Sequence, residues 1–236
     1  MPTIKKRGQS LKQHAEQDIK SIWHHIAAFM ETYKKQVAIA ASVMAAILVI
    51  GAGYFILRSM QEQKAAPILA TAYEHYRPVG GTAVDYQKAL AQFRDVQNKY
   101  PNTTSGAIAQ FYIGNCLSNL GQTEEAIKEY QKFVKYYSGD KFLLGQVQQR
   151  LGYAYLGTKN QAEAIKAFEQ ADALAGPGIS TLELARLYEA TGKTVEAQAK
   201  YKLILEKLNG TIWAMEAMSK VPKTAVPIAG TQKEVK

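Results

Sequence analysis

Apolar and polar residues follow three regimes along this chain. Between Ser10 and Tyr33, the residues Ala15, Ile19, Ile22, Ile26, Met30 and Tyr33 recur at steps of three and four. Lys12, Gln17, Lys20, Glu31 and Lys34 fall mostly off that stripe. This period predicts an amphipathic helix, with Ser10 placed to cap it. Trp23 and Tyr33 suit headgroup depth, and the helix either lies on a membrane surface or runs straight into the next segment. From Val37 to Leu57 the alternation stops: VAIAASVMAAILVIGAGYFIL holds no Asp, Glu, Lys, Arg or His. At about 1.5 Å per residue this run is roughly 30 Å long as a helix, the thickness of a bilayer's hydrocarbon. A core helix of that length carries a polar face, and this one has none. After Met60 a helical period returns, punctuated by turn residues. Residues 1–9 and the Pro-, Gly- and Lys-bearing tail from Pro222 are expected to be disordered.

Basic residues set the expected orientation. Lys5, Lys6, Arg7, Lys12, Lys20, Lys34 and Lys35 precede the apolar run, whereas only Arg58, Lys64 and Arg77 follow it closely. The surplus on the N-terminal side predicts a cytoplasmic N-terminus and a translocated C-terminal part. A cleaved signal peptide would need a shorter basic region and a small-x-small site, and YFILRSMQEQ offers none. The expected divisions are therefore a cytoplasmic arm (1–36), a transmembrane helix (37–57), a translocated domain (58–221) and a tail (222–236).

The domain after the span is self-similar at a period near 34. Ala126, Ala164 and Ala197 recur at steps of 38 and 33, each followed four residues later by Tyr130, Phe168 or Tyr201. Gly114, Gly152 and Ala185 precede them at matching offsets, and Gly121 and Gly192 stand where a first helix would end. That pattern is the tetratricopeptide signature: two antiparallel helices per unit, small residues where they touch, aromatic rings between units. Three units begin near Ala107, Gly145 and Gly178. A degenerate unit precedes them, with Ala89, Phe93 and Pro101, and RPVGGTAV reads as a loop inside it. The extra residues of the longer step are expected in the SGDKFLLG turn. TIWAMEAMSKV makes one more helix, whose Trp213, Met215 or Ala217, and Met218 are expected to cover the open end. The fold class is all-α: an amphipathic and transmembrane N-terminal helix followed by a tetratricopeptide-repeat α-solenoid.

Composition narrows function by exclusion. The net charge is +9, and nearly half of it belongs to the N-terminal arm. There it suits anionic lipid. In the repeats the signs are interspersed, without the stripe that nucleic acid needs. Cys116 is the single cysteine, so no intramolecular disulfide forms. His24 and His25 are adjacent and point about 100° apart on a helix, which does not suit one metal ion. His14 and Asp18 form only one pair. No phosphate-cradling loop, zinc pair or nucleophile elbow appears, so neither catalysis nor a cofactor is expected. Ala38, Ser42 and Ala46 recur every four residues on the apolar run and form a candidate helix-packing face.

The order of parts resembles the ancillary SecYEG translocon subunit family (YfgM-like). The stretch that carries the resemblance is ETYKKQVAIAASVMAAILVIGAGYFILRSMQEQKAAPILATAYEHY. The Tyr-rich repeats are also similar to those of periplasmic cell-division coordinators. The first resemblance implies a bacterial inner-membrane protein whose domain 58–221 is periplasmic, and protein partners, namely SecYEG in the membrane and periplasmic chaperones or exported chains outside it. The tetratricopeptide resemblance implies that the first helix of each pair lines a concave binding groove. Carried onto this chain, the groove residues are Phe111, Asn115 and Asn119, then Gln149 and Tyr153, then Arg186 and Glu189. Members that clamp a C-terminal carboxylate carry Lys where this chain has Phe111, so an extended or helical peptide fits better. Two functions remain open: a non-catalytic adaptor recruiting partners to a membrane machine, or a structural subunit of an envelope assembly.

Overall fold

The computed structural model describes residues 20–25, 28–78, 80, 83–137 and 139–221. The arm before residue 20, with Ser10, His14 and Asp18, and the tail from Pro222 lie outside the described residues. The chain divides into two compact units, Met1–Ser59 and Met60–Lys236. Among the described residues all regular structure is helical.

In the first unit residues 20–25 and 28–32 are helical, and Tyr33 forms a turn. Tyr33 N–H donates to Phe29 O at 2.9 Å and Val37 N–H donates to Tyr33 O at 2.9 Å, so helical bonding runs through that turn. A long helix, α1 (Lys34–Tyr76), begins there. It is long and apolar enough to cross a membrane, and none of its apolar window is buried. Ile47, Leu48, Val49, Ile50 and Phe55 are each more than 60 % exposed. The Ser42 hydroxyl donates to Ala38 O at 2.8 Å, which satisfies it within its own helix.

The second unit continues with α2 (Tyr86–Lys99), α3 (Thr104–Asn119), α4 (Thr123–Tyr136) and α5 (Lys141–Gly157). It then runs through α6 (Gln161–Ala175), α7 (Ile179–Ala190), α8 (Thr194–Lys207) and α9 (Ile212–Lys220). Each helix from α3 onward packs on its neighbours in sequence, as short connections between antiparallel helices require. Local chemistry starts them: Asp85, Thr103, Asp140, Asn160 and Thr211 each accept a bond from a backbone N–H in the first turn that follows. Between the helices of three successive pairs the chain turns through a left-handed residue: Gly121, Lys159 and Gly192. At each, the next residue's N–H bonds a carbonyl five residues back, Gln122 to Leu117, Asn160 to Tyr155 and Lys193 to Tyr188.

Small residues and rings meet as the repeat predicts. Ala126, Ala164 and Ala197 are buried, and Tyr130, Phe168 and Tyr201 are at most 1 % exposed. Each such ring contributes about 1.5–3 kcal/mol through burial. A Cβ on Gly114 would lie 2.4 Å from the Tyr130 ring, and one on Gly152 would lie 2.6 Å from the Phe168 ring. Glycine is what lets those helices close. The degenerate first unit is joined to the second by a ring cluster in which Tyr112 lies 4.7 Å from Tyr73, 4.9 Å from Tyr76 and 5.2 Å from Phe93. Glu62 of α1 also caps α3 from 42 residues away: its carboxylate accepts from Thr104 N–H at 2.6 Å. A carboxylate there faces the positive end of the helix.

Two expectations change. The residues KFLLG are not turn; Asp140 caps a helix that starts at Lys141, so the longer step lengthens α5 instead. Leu143 and Leu144 pack on the core, and that apolar contact favours helix over loop there. At the open end, Ala214 and Ala217 are buried beneath α9 and Trp213 is half-buried. Met215 and Met218 instead point outward, at 72 % and 55 % exposed. α9 is fastened close to α8 by small residues, which leaves the long side chains on its outer side.

Candidate protein-binding face

The residues expected on the groove separate into two groups. Phe111 and Asn115 of α3 belong to the core, at 4 % and 5 % exposed. The Phe111 ring packs against Tyr112 at 5.1 Å, and the Asn115 side-chain oxygen accepts from the Tyr130 hydroxyl at 2.7 Å. That bond holds the buried hydroxyl, and burial pushes the phenol above its ordinary pKa. Asn119, one turn on, is exposed, and its amide donates to Asn115 O at 2.8 Å.

The other group is accessible. Tyr153 of α5 is 36 % exposed and stands edge-on to the buried Phe168 ring at 5.1 Å. Its hydroxyl donates to Glu183 of α7 at 3.2 Å, and half-buried Gln149 bonds the same hydroxyl. Partial burial, then the Glu183 charge, raises this phenol above its usual range. Arg186 lies one helical turn beyond Glu183 and pairs with it at 2.9 Å. Its guanidinium also forms a two-point pair with Glu216 of α9, Nε to Oε1 at 2.8 Å. Glu189 completes the set by accepting from Lys220 at 2.8 Å and from the Tyr201 hydroxyl at 3.0 Å.

Tyr153, Glu183, Arg186 and Glu216 thus form one polar chain across α5, α7 and α9. Glu183 and Glu216 were not singled out by the sequence pattern, although each stands 30 residues after its partner. Only the repeat alignment makes that offset visible, because it equals one unit less a helical turn. Arg186 and Glu189 are engaged by internal partners. Of the remaining residues of the set, Asn119 is exposed, Tyr153 is partly exposed and Gln149 is half-buried.

No group of three or more His, Cys, Asp or Glu side chains is arranged to hold a metal among the described residues. Cys116 is fully buried in α3, and burial pushes its thiol up to about 12.

The tetratricopeptide repeat family matches this chain twice, at residues 108–140 and 145–176. No curated protein matches it. Among solved structures, a tetratricopeptide repeat protein from Parabacteroides merdae aligns with a TM-score of 0.57 and 12 % identity over 67 % of this chain and 59 % of its own. The match therefore spans less than two thirds of that protein. MamA protein aligns with a TM-score of 0.53 and 20 % identity over 66 % of this chain and 80 % of its own. MamA from Desulfovibrio magneticus aligns with a TM-score of 0.50 and 21 % identity, covering 62 % and 78 %. At such identities the likeness establishes the fold. Residues 108–140 and 145–176 match tetratricopeptide repeats, and the helices after Met60 have the fold of a tetratricopeptide-repeat solenoid.

Proposed function

We propose that this protein is a non-catalytic, membrane-anchored adaptor. The apolar run of α1 spans a bacterial inner membrane with the N-terminus inside, and the repeat array recruits protein partners in the periplasm. One observation carries the reading: a helix whose 18-residue apolar window is wholly exposed heads a protein-interaction array. Side chains such as Ile47 and Phe55, left open to water, would cost about 25 cal/mol per Å² that lipid would recover. Ala38, Ser42 and Ala46 supply a smooth face on that helix, its one hydroxyl already satisfied, against which another membrane helix packs. The resemblance to ancillary translocon subunits makes SecYEG and periplasmic chaperones the first partners to test. Asn119, Gln149 and Tyr153 are the groove contacts, with Phe111 and Asn115 supporting them from the core.

Two experiments test this. A reporter active only outside the cytoplasm should work when fused after Lys236, and one active only inside should work before Met1; the opposite result overturns the anchor. Pull-down in mild detergent should then recover salt-labile partners that Tyr153→Ala weakens and that Ser42→Leu with Ala46→Leu detaches from the membrane component. A fixed stoichiometric complex, insensitive to salt and to Tyr153→Ala, would instead identify a structural subunit of an envelope assembly.

A further inference from the structure

The turns of the repeat array fall at two ends that differ in chemistry. From α2 onward each helix packs on the next through a short connection, so the turns between units lie at one end and the turns within units at the other. The start of α1 in the second unit belongs to the first of these ends. Glu62 accepts from the N–H groups of Thr104 and Ser105, where α3 begins. The Tyr137 hydroxyl, just after α4, donates to Pro101 O, just before α3, at 2.8 Å. Leu57 closes the apolar run five residues before Glu62, so at most about 18 Å of chain lies between them.

Exposed apolar side chains collect at that first end. Tyr136 closes α4 and Phe142 stands second in α5, at 66 % and 67 % exposed, and Ile212, at 77 %, opens α9. Met60 and Met215, at the same end, are exposed as well. Apolar residues scattered singly over a surface are ordinary; a gathering at one end is not. The opposite end carries Val84 and Val195, and no exposed ring among the described residues. Charge adds to the contrast. Lys135 lies 5.0 Å over the Tyr136 ring, and neither it nor Lys141 forms an ion pair among the described residues. Asp140, between them, is committed to the Leu143 N–H at the start of α5. Two lysines against one capping carboxylate leave residues 135–142 positive.

We infer that this end of the array docks on the surface of the bilayer that holds the apolar run, an inference that rests on the anchor reading. Tyr136 lies at headgroup depth, Phe142 reaches the acyl boundary, and Lys135 and Lys141 face the phosphates of anionic lipid. Chain reach favours lipid over a soluble protein as the occupant. The short tether keeps this end at high effective concentration beside one bilayer, whereas a soluble partner must be captured from solution. Docking fixes the array against the leaflet, which sets the distance from its first-helix face to a partner embedded in the same membrane.

The test uses the full chain reconstituted in phosphatidylcholine vesicles, with or without phosphatidylglycerol, that carry spin-labelled quencher lipids. Cys116 is buried, so a thiol-reactive fluorophore reports from one added cysteine. Gly139→Cys reports on the docking end, where an added Cβ meets nothing within 4 Å, and Val195→Cys reports on the opposite end. Val49→Cys reports insertion of the apolar run. Headgroup-labelled lipid should quench the fluorophore at position 139 severalfold more than the one at 195. Tyr136→Ser with Phe142→Ser should abolish that difference, and Lys135→Glu with Lys141→Glu should reduce it only where phosphatidylglycerol is present. All four side chains are exposed, so the helical circular-dichroism signal should not change. Equal quenching at 139 and 195, with position 49 quenched by acyl-chain label, overturns the docking, leaves the anchor intact and assigns these side chains to a protein partner. A difference that survives both pairs of substitutions reflects the tether alone and also overturns the docking. An unquenched position 49 overturns the anchor reading, and this inference with it.

Discussion

Arg186 of α7 grips Glu216 of α9 through two nitrogens, and this pair fastens the last helix to the array. Lys220 adds a second tie to Glu189, and Gln198 of α8 donates to Lys220 O at 2.8 Å. Hydrogen bonds from Arg186 hold the Glu216 carboxyl below its ordinary value, and those from Lys220 and Tyr201 do the same for Glu189. A carboxyl whose pKa falls on folding adds stability above its unfolded value, near 4.3, and loses it as pH drops through the folded one. Glu216→Gln should therefore lower stability at neutral pH by about 1 kcal/mol or less, since the pair is partly exposed. It should also flatten the acid limb of a melting-temperature profile below about pH 4.5. A variant whose acid limb matches wild type would remove this pair from the stability of α9.

Lys159 holds φ at 60°, at the turn position where the flanking units have Gly121 and Gly192. A residue with a Cβ is strained there, whereas glycine is not. Lys159→Gly should stabilise the protein by about 1 kcal/mol. Gly121→Ala and Gly192→Ala should destabilise it by a similar amount, although an added Cβ meets nothing within 4 Å at either position. Urea denaturation reads both signs; a destabilised Lys159→Gly would mean that the lysine side chain outweighs its backbone strain.

Gly114 and Gly152 act through contact, not conformation. The ring atoms an added Cβ would strike belong to Tyr130 and Phe168, which are buried and have no room to swing. Gly152→Ala should cost about 1–3 kcal/mol by overpacking. Phe168→Ala should cost about 3–5 kcal/mol. Combining Gly152→Ala with Phe168→Leu should cost less than the sum of the two single changes, because the clash is relieved. Additive costs would disprove the contact. Ala164→Leu, in the same buried layer, should also cost about 1–3 kcal/mol.

Cys116 should be silent in the native state. Its thiol is fully buried, and its pKa near 12 leaves almost no thiolate at pH 8. Thiol-specific labelling should proceed at the rate of local opening in buffer and go to completion in urea. Rapid labelling in buffer would show that α3 opens on its own.

Reading the chain alone was enough for the elements that depend on spacing. The uncharged run from Val37 to Leu57 is a property of composition, and a helix there needs no tertiary partner. The repeat register was equally legible, because Ala126, Ala164 and Ala197 and the rings after them must recur wherever identical helix pairs stack. Gly121 and Gly192 announced their turns, since a left-handed residue at a helix end is most often glycine. Lys159 hid the third, because its side chain carries no such signal. Which groove residues are accessible was decided only by packing. Phe111, Asn115 and Tyr153 all sit on first helices, yet the neighbouring rings bury the first two and leave the third open. Arg186 and Glu189 look like ligand contacts in the sequence, and the folded array pairs them with Glu216 and Lys220. Periodicity specifies which side chains face inward within a unit. Where one unit meets the next, distances between residues far apart in sequence settle burial and pairing, and those exist only once the solenoid is stacked.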